Sequence, residues 1–195
     1  MKSQLRQKAL SIRRSIGDEE VKSLSTRIET RLYALTEYEA ASTIATYVAR
    51  PDEVQTVSII RHSLAAEKRI LVPKTDTVGK RLIFSEIYDF DRELSSGVMG
   101  ILEPRPEFLR PVNLAEADLI LVPVVAWDER GYRLGYGAGY FDRTLGGLVR
   151  DVITIGLGLE VQRFDELPVE SHDVPLDMII TEGRVIMTKQ GGLAS

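Results

Sequence analysis

With 195 residues, 44% of them apolar, the chain is long enough for one domain with a substantial core and too short for two. The absence of cysteine excludes a disulfide framework, a cysteine-based zinc site and a thiol nucleophile, and a net charge of −4 argues against bulk nucleic-acid binding. We predict a single domain over residues 1–195, monomeric and cytoplasmic, with no nucleic-acid partner and no membrane-spanning segment.

The N-terminal segment is basic and amphipathic. Apolar residues recur at spacings of four, three and four, at Leu5, Ala9, Ile12 and Ile16. This spacing predicts a basic helix over residues 2–16 that ends at Gly17, followed by a second helix capped by Asp18. The basic face is typical of a solvated helix surface, but Lys2 and Arg6 lie one turn apart and could neutralise phosphates as a pair.

The rest of the chain alternates between strand and helix patterns. Strands are predicted at residues 42–48, 69–73, 81–87, 119–125, 152–157, 178–181 and 184–187. Thr56 is predicted to cap a helix that begins at about Val57, and residues 141–149 to form a short helix. This alternation indicates an α/β sandwich with a mostly parallel sheet, followed by a frayed tail at residues 190–195.

One glycine-rich segment joins the buried strand at 119–125 to the helix predicted after it. It reads Arg133-Leu134-Gly135-Tyr136-Gly137-Ala138-Gly139-Tyr140-Phe141-Asp142-Arg143. Its three glycines allow positive φ and a close approach of backbone N–H groups to a ligand. The two arginines and the aspartate add cations and a hard oxygen ligand, a combination typical of a phosphate chain bound with Mg²⁺. An ordinary glycine-rich surface loop accounts for the glycines equally well.

Two common nucleotide motifs are absent. No Walker A sequence occurs, and Tyr140 stands where a dinucleotide-binding fingerprint requires its third glycine. The pair Gly156 and Gly158 is not a dinucleotide motif either, because Val161 occupies the next small-residue position and too little chain follows.

Three isolated polar residues are ambiguous by themselves. Glu53 follows the first predicted strand, where α/β sheets bind ligands, although a lone loop glutamate is usually solvated. His172 lies in a proline-bounded loop without a partnered nucleophile, which favours a structural role over catalysis. Asp177 stands just before a strand, where its carboxylate could point into the same cleft as Asp142.

Several of these segments together resemble one protein family. Val122-Pro123, Ala126-Trp127-Asp128 and the string at residues 130–143 are similar to the signature of the 5-formyltetrahydrofolate cyclo-ligase family, also called methenyltetrahydrofolate synthetase. Residues 2–6, 52–56, 100–104 and 172–177 match further family segments in the same order. The resemblance implies a three-layer α/β/α sandwich similar to ribose-phosphate isomerase and coenzyme A transferase-like folds.

The resemblance also implies an activity and a set of site residues. The reaction is the ATP- and Mg²⁺-dependent cyclisation of 5-formyltetrahydrofolate to 5,10-methenyltetrahydrofolate, with release of ADP and phosphate. Lys2, Arg6 and Arg133 would position ATP and neutralise charge, with no protein nucleophile. The remaining ATP contacts are Leu134, Gly135, Tyr136, Gly137, Ala138, Gly139, Tyr140 and Phe141; the folate contacts are Val48, Glu53, Trp127, Tyr136, Gly137 and Tyr140; and the Mg²⁺ ligands are Asp142 and Asp177.

The chain departs from the family pattern at three positions. Tyr136 stands where many members carry a basic residue, Phe141 replaces a frequent tyrosine, and Val124 follows Pro123 where glycine is common. An enzyme of the same fold acting on another reduced pterin, and a non-catalytic folate- or nucleotide-binding relative, therefore stay open. An RNA-binding module, based only on the basic first helix, is a remote third alternative.

Overall fold

The structure is a computed structural model that describes residues 1–148 and 152–188. The tail predicted at residues 190–195 lies outside the described residues. In chain order the elements are α1 (Lys2–Ile16), α2 (Asp18–Tyr33), α3 (Thr36–Ala40), β1 (Thr43–Ala45), α4 (Val57–Ala65), β2 (Arg69–Asp76), β3 (Arg81–Ile87), α5 (Phe90–Glu93), β4 (Leu94–Ser96), β5 (Leu102–Pro104), β6 (Leu119–Pro123), β7 (Ala126–Trp127), β8 (Arg133–Leu134), α6 (Tyr140–Gly146), β9 (Ile153–Leu157), β10 (Met178–Ile180) and β11 (Val185–Met187).

A seven-stranded sheet organises these elements, in the order β11-β10-β9-β6-β1-β2-β3. Strands β10, β9, β6, β1 and β2 are parallel to one another, and β11 and β3 are antiparallel edge strands. The prediction of a mostly parallel α/β sheet is therefore confirmed. The strand order reverses at β1, since β2 pairs on one side of it and β6 on the other. Open α/β sheets bind ligands at the carboxyl ends of such a pair of strands.

Helices cover both faces of the sheet. Ile44 and Leu121 point into one core with residues of α2 and α4, whereas Ala45 and Ile120 point into a second core with Leu145 of α6. This alternation follows from the two-residue period of a strand buried on both faces. Helix α1 packs separately, through a third apolar cluster formed with the β7–β8 hairpin. A single domain over residues 1–195 stays a prediction, as does the likeness to the two named fold families.

The predicted cap of α2 is wrong, and Thr56 occupies the predicted cap position of α4 without a side-chain capping bond. Gly17, with φ of 85°, occupies the cap position of α2, and Asp18 is the first helical residue, where a negative charge still suits the helix terminus. Thr56 precedes α4, but its hydroxyl donates to the carbonyl of Tyr47 at 2.8 Å and accepts the N–H of Ala49 at 3.1 Å. Thr56 therefore anchors the loop after β1. That loop begins earlier than expected, because β1 ends before the end of the strand predicted over residues 42–48.

The glycine pair in and after β9 has a packing role. A Cβ atom on Gly156 would lie 3.1 Å from the side chain of Val124, and one on Gly158 would lie 3.1 Å from the ring of Trp127. The two glycines thus make room for core side chains, in keeping with the rejection of a dinucleotide motif. Within the described residues, no helix has the length and apolar character required to cross a membrane.

Candidate functional site

A cavity of about 360 Å³ opens at the carboxyl edge of the sheet, where the loops after β1 and β6 face each other. Its volume is that of a small-molecule site. The N-terminal turns of α1, the tip of the β4–β5 hairpin and the loop before β10 complete its walls. The lining residues are Lys2, Arg6, Tyr47, Val48, Arg50, Glu53, Pro73, Thr75, Leu82, Val98, Met99, Ile101, Glu103, Pro123, Val125, Glu170, His172 and Asp173, together with every residue from 133 to 142.

The glycine-rich segment forms one wall, and its backbone explains two of its glycines. Gly137 and Gly139 have φ of 105° and 66°, conformations that residues with a Cβ rarely adopt. Arg6 lies against this wall: its Nε donates to the carbonyl of Gly135 at 2.6 Å, and a Cβ on Gly137 would lie 3.2 Å from its Cζ. The glycines therefore let the guanidinium of α1 contact the loop directly.

Arg143 does not line the cavity, contrary to the expectation that it flanks a phosphate site. Its Nε donates to the carbonyl of Lys80 at 2.9 Å and its NH2 to the carbonyl of Ala138 at 2.8 Å. Arg143 thus closes the glycine-rich segment from outside and holds it against the β2–β3 turn.

Two ion pairs lie in the cavity wall. The ammonium of Lys2 contacts Asp173 Oδ2 at 2.6 Å, and Arg133 NH2 contacts Asp142 Oδ1 at 2.9 Å. Burial opposes the charge of Asp173, but hydrogen bonds from Lys2 and from the Glu170 N–H outweigh it and hold the carboxyl pKa below its usual value. Burial lowers the pKa of Arg133, and the nearby carboxylates of Asp142 and Asp173 oppose that shift. Cations and carboxylates therefore neutralise each other at this end of the cavity.

The predicted pairing of Asp142 with Asp177 is wrong. Asp177 Oδ2 accepts hydrogen bonds from the backbone N–H and the hydroxyl of Thr154, at 2.8 and 2.7 Å. These residues lie where β9 and β10 begin, at the edge of the parallel sheet opposite to the cavity. Asp173, four residues earlier, lines the cavity together with Asp142.

The predicted folate contact of Trp127 is also wrong. Its side chain is 0% exposed, does not line the cavity, and donates from Nε1 to the carbonyl of Leu159 at 2.9 Å. Trp127 is a core residue that packs against the chain following β9. Val124 is likewise buried in the core, so its departure from the family pattern does not narrow the cavity directly.

Glu53 is a buried carboxylate in the cavity wall, 6% exposed, and its Oε2 accepts the N–H of Arg50 at 2.8 Å. Burial raises the pKa of Glu53, while the Arg50 N–H, the Tyr136 hydroxyl and the charge of Arg13 oppose that rise. Around Tyr136, the Cζ atoms of Arg13 and Arg50 lie 5.5 and 5.0 Å from the ring centroid. Two arginines therefore lie beside the tyrosine that stands where many family members carry a basic residue.

The other predicted site residues line the same cavity, and their roles stay predictions. Sequence reasoning missed Arg13, Arg50 and Asp173. Asp173 belongs to a segment that the family resemblance had singled out, and Arg50 lies two residues before another, so a search of whole segments and their flanks could have found them. Arg13 carried no such signal, since an arginine on a basic helix face looks solvated until the fold buries it.

A mostly parallel sheet with a cavity at its carboxyl edge, lined by a glycine-rich loop, cations and carboxylates, is typical of α/β enzymes that bind phosphorylated ligands. The sequence model of the 5-formyltetrahydrofolate cyclo-ligase family matches residues 1–182. The chain belongs to that family.

Individual relatives agree with the family match. The chain is 31% identical over 188 residues to a 5-formyltetrahydrofolate cyclo-ligase of Mycolicibacterium smegmatis, covering 95% of this chain and 96% of the relative. It is 28% identical over 174 residues to the Escherichia coli protein of the same name, covering 89% and 96%. The solved structure of Aquifex aeolicus 5,10-methenyltetrahydrofolate synthetase is similar with a TM-score of 0.85 at 32% identity, covering 100% of this chain and 96% of that one. The predicted family and the α/β fold are confirmed.

Proposed function

We propose that this chain uses ATP and Mg²⁺ to convert 5-formyltetrahydrofolate to 5,10-methenyltetrahydrofolate, ADP and phosphate. The observation that carries the proposal is a single cavity in which Lys2, Arg6 and Arg133 surround the glycine-rich segment while Glu53 lies in the same wall. One cavity can therefore receive a polyphosphate and a pterin side by side, as a transfer between them requires.

The phosphate chain of ATP fits the end of the cavity that holds Lys2, Arg6 and Arg133. Three cations there, together with backbone N–H groups freed by the glycines, would neutralise the triphosphate. The ion pairs with Asp173 and Asp142 keep two of the cations in place before the nucleotide binds.

The carboxylates of Asp142 and Asp173 fit Mg²⁺ better than the pair predicted from sequence. The described residues contain no cluster of three or more acids and histidines able to hold a metal alone. Mg²⁺ commonly binds to one or two carboxylates and takes its remaining ligands from phosphates and water, so two acids suffice. When bound, the ion would neutralise charge on the phosphate oxygens.

The proposed chemistry requires positioning more than a protein nucleophile. The formyl oxygen attacks the γ-phosphorus, the bond to ADP breaks, and an imidate-type phosphate forms. The second folate nitrogen then attacks the formyl carbon and loses its proton to solvent, and the bond from that carbon to the phosphate oxygen breaks, so phosphate leaves as the ring closes. The chain contributes alignment and charge neutralisation, and Glu53 would accept N–H bonds from the aminopyrimidinone edge of the pterin.

The test is to mix the purified protein with 5-formyltetrahydrofolate, ATP and Mg²⁺ and to follow methenyl product by its near-ultraviolet absorbance. Product formation should require ATP and Mg²⁺. Asp142→Asn and Asp173→Asn should abolish most of it, whereas the matched variant Asp177→Asn should retain it. ATP binding without product would move the proposal to another reduced pterin, to be identified with a substrate panel, or to a non-catalytic relative. A protein that binds no ATP would contradict the assignment of the phosphate site.

A monomeric state and a cytoplasmic location stay proposals based on the sequence. Size-exclusion chromatography with light scattering tests the first, and cell fractionation tests the second. A salt-dependent affinity for RNA would instead support the remote nucleic-acid alternative.

A further inference from the structure

Arg13 joins helix α1 to the wall of the cavity that holds Glu53. Its side chain is 1% exposed, and its NH2 donates to Asp52 Oδ2 at 2.6 Å and to the Tyr136 hydroxyl at 2.5 Å. Arg13 lies about two turns after Arg6 on the same helix. One helix therefore contacts both the glycine-rich segment and the loop after β1.

Only one of the three guanidinium nitrogens of Arg13 has a hydrogen-bond partner. Its Nε and NH1 are buried without a hydrogen-bond partner, and no other side-chain nitrogen or oxygen of the described residues is in that condition. Burying N–H groups of a cation without partners costs free energy, and replacing a buried ion pair as a whole by apolar residues is often neutral or stabilising. Packing alone therefore does not explain an arginine here.

The neighbours of Glu53 suggest what the buried cation does. Glu53 is itself buried, which favours its neutral form, yet an acceptor for two N–H groups of a pterin must be ionised. The charged and titratable groups around it are Arg13 from α1, Tyr136 from the glycine-rich segment, Tyr47 after β1, and Arg50 and Asp52 from its own loop. Arg13 supplies a positive charge that opposes the effect of burial on Glu53.

We propose that Arg13 is a positioning residue for the folate site: it fixes the Tyr136 hydroxyl and the Asp52 carboxylate beside Glu53 and places a buried positive charge in that wall of the cavity. The proposal rests on the proposed function insofar as Glu53 binds the substrate. Its physical core, the action of Arg13 on Glu53, is independent of any activity.

The experiment compares Arg13→Met, Arg13→Lys and Tyr136→Phe with Arg14→Met, an exposed neighbour on the same helix that carries the same charge. Glutamate labelled with ¹³C at the carboxyl carbon reports the titration of Glu53, whose resonance is the one missing from the spectrum of Glu53→Gln. Steady-state kinetics give KM for folate and for ATP across the pH range, and urea unfolding gives the stability of each variant.

Arg13→Met should raise the titration midpoint of Glu53 by about one pH unit, the lower end of the range for loss of a nearby opposite charge. The KM for folate should rise most at low pH, while the KM for ATP changes little. The stability should fall, because the Asp52 carboxylate loses its cationic partner. Arg13→Lys should restore most of the midpoint, and Arg14→Met should match the unmodified protein.

An unchanged Glu53 midpoint in Arg13→Met would overturn the proposal even if the protein makes methenyl product. A shifted midpoint in a protein inactive on 5-formyltetrahydrofolate would support the action of Arg13 and contradict the proposed function. If Arg13→Met does not fold, Tyr136→Phe keeps the question open to test, because it removes the hydroxyl between Arg13 and Glu53. An unchanged Glu53 midpoint in Tyr136→Phe would then overturn the proposal, and a raised midpoint would support it.

Discussion

Replacement of Gly137 by alanine tests the link between the glycine-rich segment and Arg6. Gly137 has φ of 105°, and its added Cβ would lie 3.2 Å from Arg6 Cζ. A residue with a Cβ in so unfavourable a conformation costs about 1–3 kcal/mol. Gly137→Ala should therefore lower the free energy of unfolding by that amount, because the segment must either keep the strain or change its backbone.

The same substitution should weaken ATP binding. Relief of the strain moves the backbone or the Arg6 guanidinium, and a loss of about 1.4 kcal/mol in binding corresponds to a tenfold rise in the dissociation constant. Urea unfolding and calorimetric titration with a non-hydrolysable ATP analogue and Mg²⁺ measure the two effects separately. The KM for folate should change less than the affinity for the analogue.

Gly135→Ala is the matched control, since its φ is not positive and an added Cβ would meet no atom within 4 Å. Its stability should stay within about 0.5 kcal/mol of the unmodified protein. Equal losses of stability in the two variants would refute the backbone argument. A destabilised Gly137→Ala protein with unchanged affinity for the analogue would refute the role assigned to Arg6.

Three further predictions concern the core, pH and metal binding. Trp127→Phe should lower the free energy of unfolding by about 1–3 kcal/mol, because it leaves the buried carbonyl that accepts the indole N–H without its donor. A large rise in the KM for folate at unchanged stability would instead support the predicted contact between Trp127 and folate. Burial raises the pKa of Glu53, so the folded protein binds a proton on this carboxyl group more tightly than the unfolded chain does. The stability that protonation of Glu53 contributes should therefore be lost as pH rises above about 4.3 and through the raised pKa of the folded state. Glu53→Gln should then be more stable than the unmodified protein at neutral pH while binding folate less well, and parallel stability curves across pH would contradict this. Free Mg²⁺ should bind weakly without ATP, because Asp142 and Asp173 are already paired with cations. Tight binding of the ion alone in calorimetry would contradict the view that these ion pairs persist in the protein without nucleotide.

Local sequence patterns predicted much of the fold. The apolar period of α1 predicted a helix over residues 2–16, and the structure has Lys2–Ile16. The continuous apolar run at 119–125 predicted a strand buried on both faces, and β6 spans Leu119–Pro123 with its first four residues buried. These elements follow from periodicity and from the opposing faces of a strand, which a window of a few residues contains.

Predictions of side-chain surroundings fared less well. Trp127 and Asp177 each lie in a segment that matches the family, and both were wrongly given direct contacts with ligands. Asp177 faces the amino edge of the sheet, where Thr154 binds it, whereas Asp173 reaches the cavity. Asp177 directly precedes the predicted strand at 178–181, and in a parallel sheet that position already indicated the amino edge. How far Asp173 reaches towards the cavity depends on the path of the loop, which no local pattern records.

The family, the alternation of strands and helices, and the glycine-rich segment with its cations were all predictable from the sequence, because each depends on residues close together in the chain. The tertiary structure decided which carboxylate faces Asp142, that Trp127 belongs to the core, and that Arg13 is buried beside Tyr136. Those outcomes depend on the order of strands in the sheet and on where α1 packs. Both are set by contacts between residues far apart in the chain, and such contacts leave no period or spacing in the sequence.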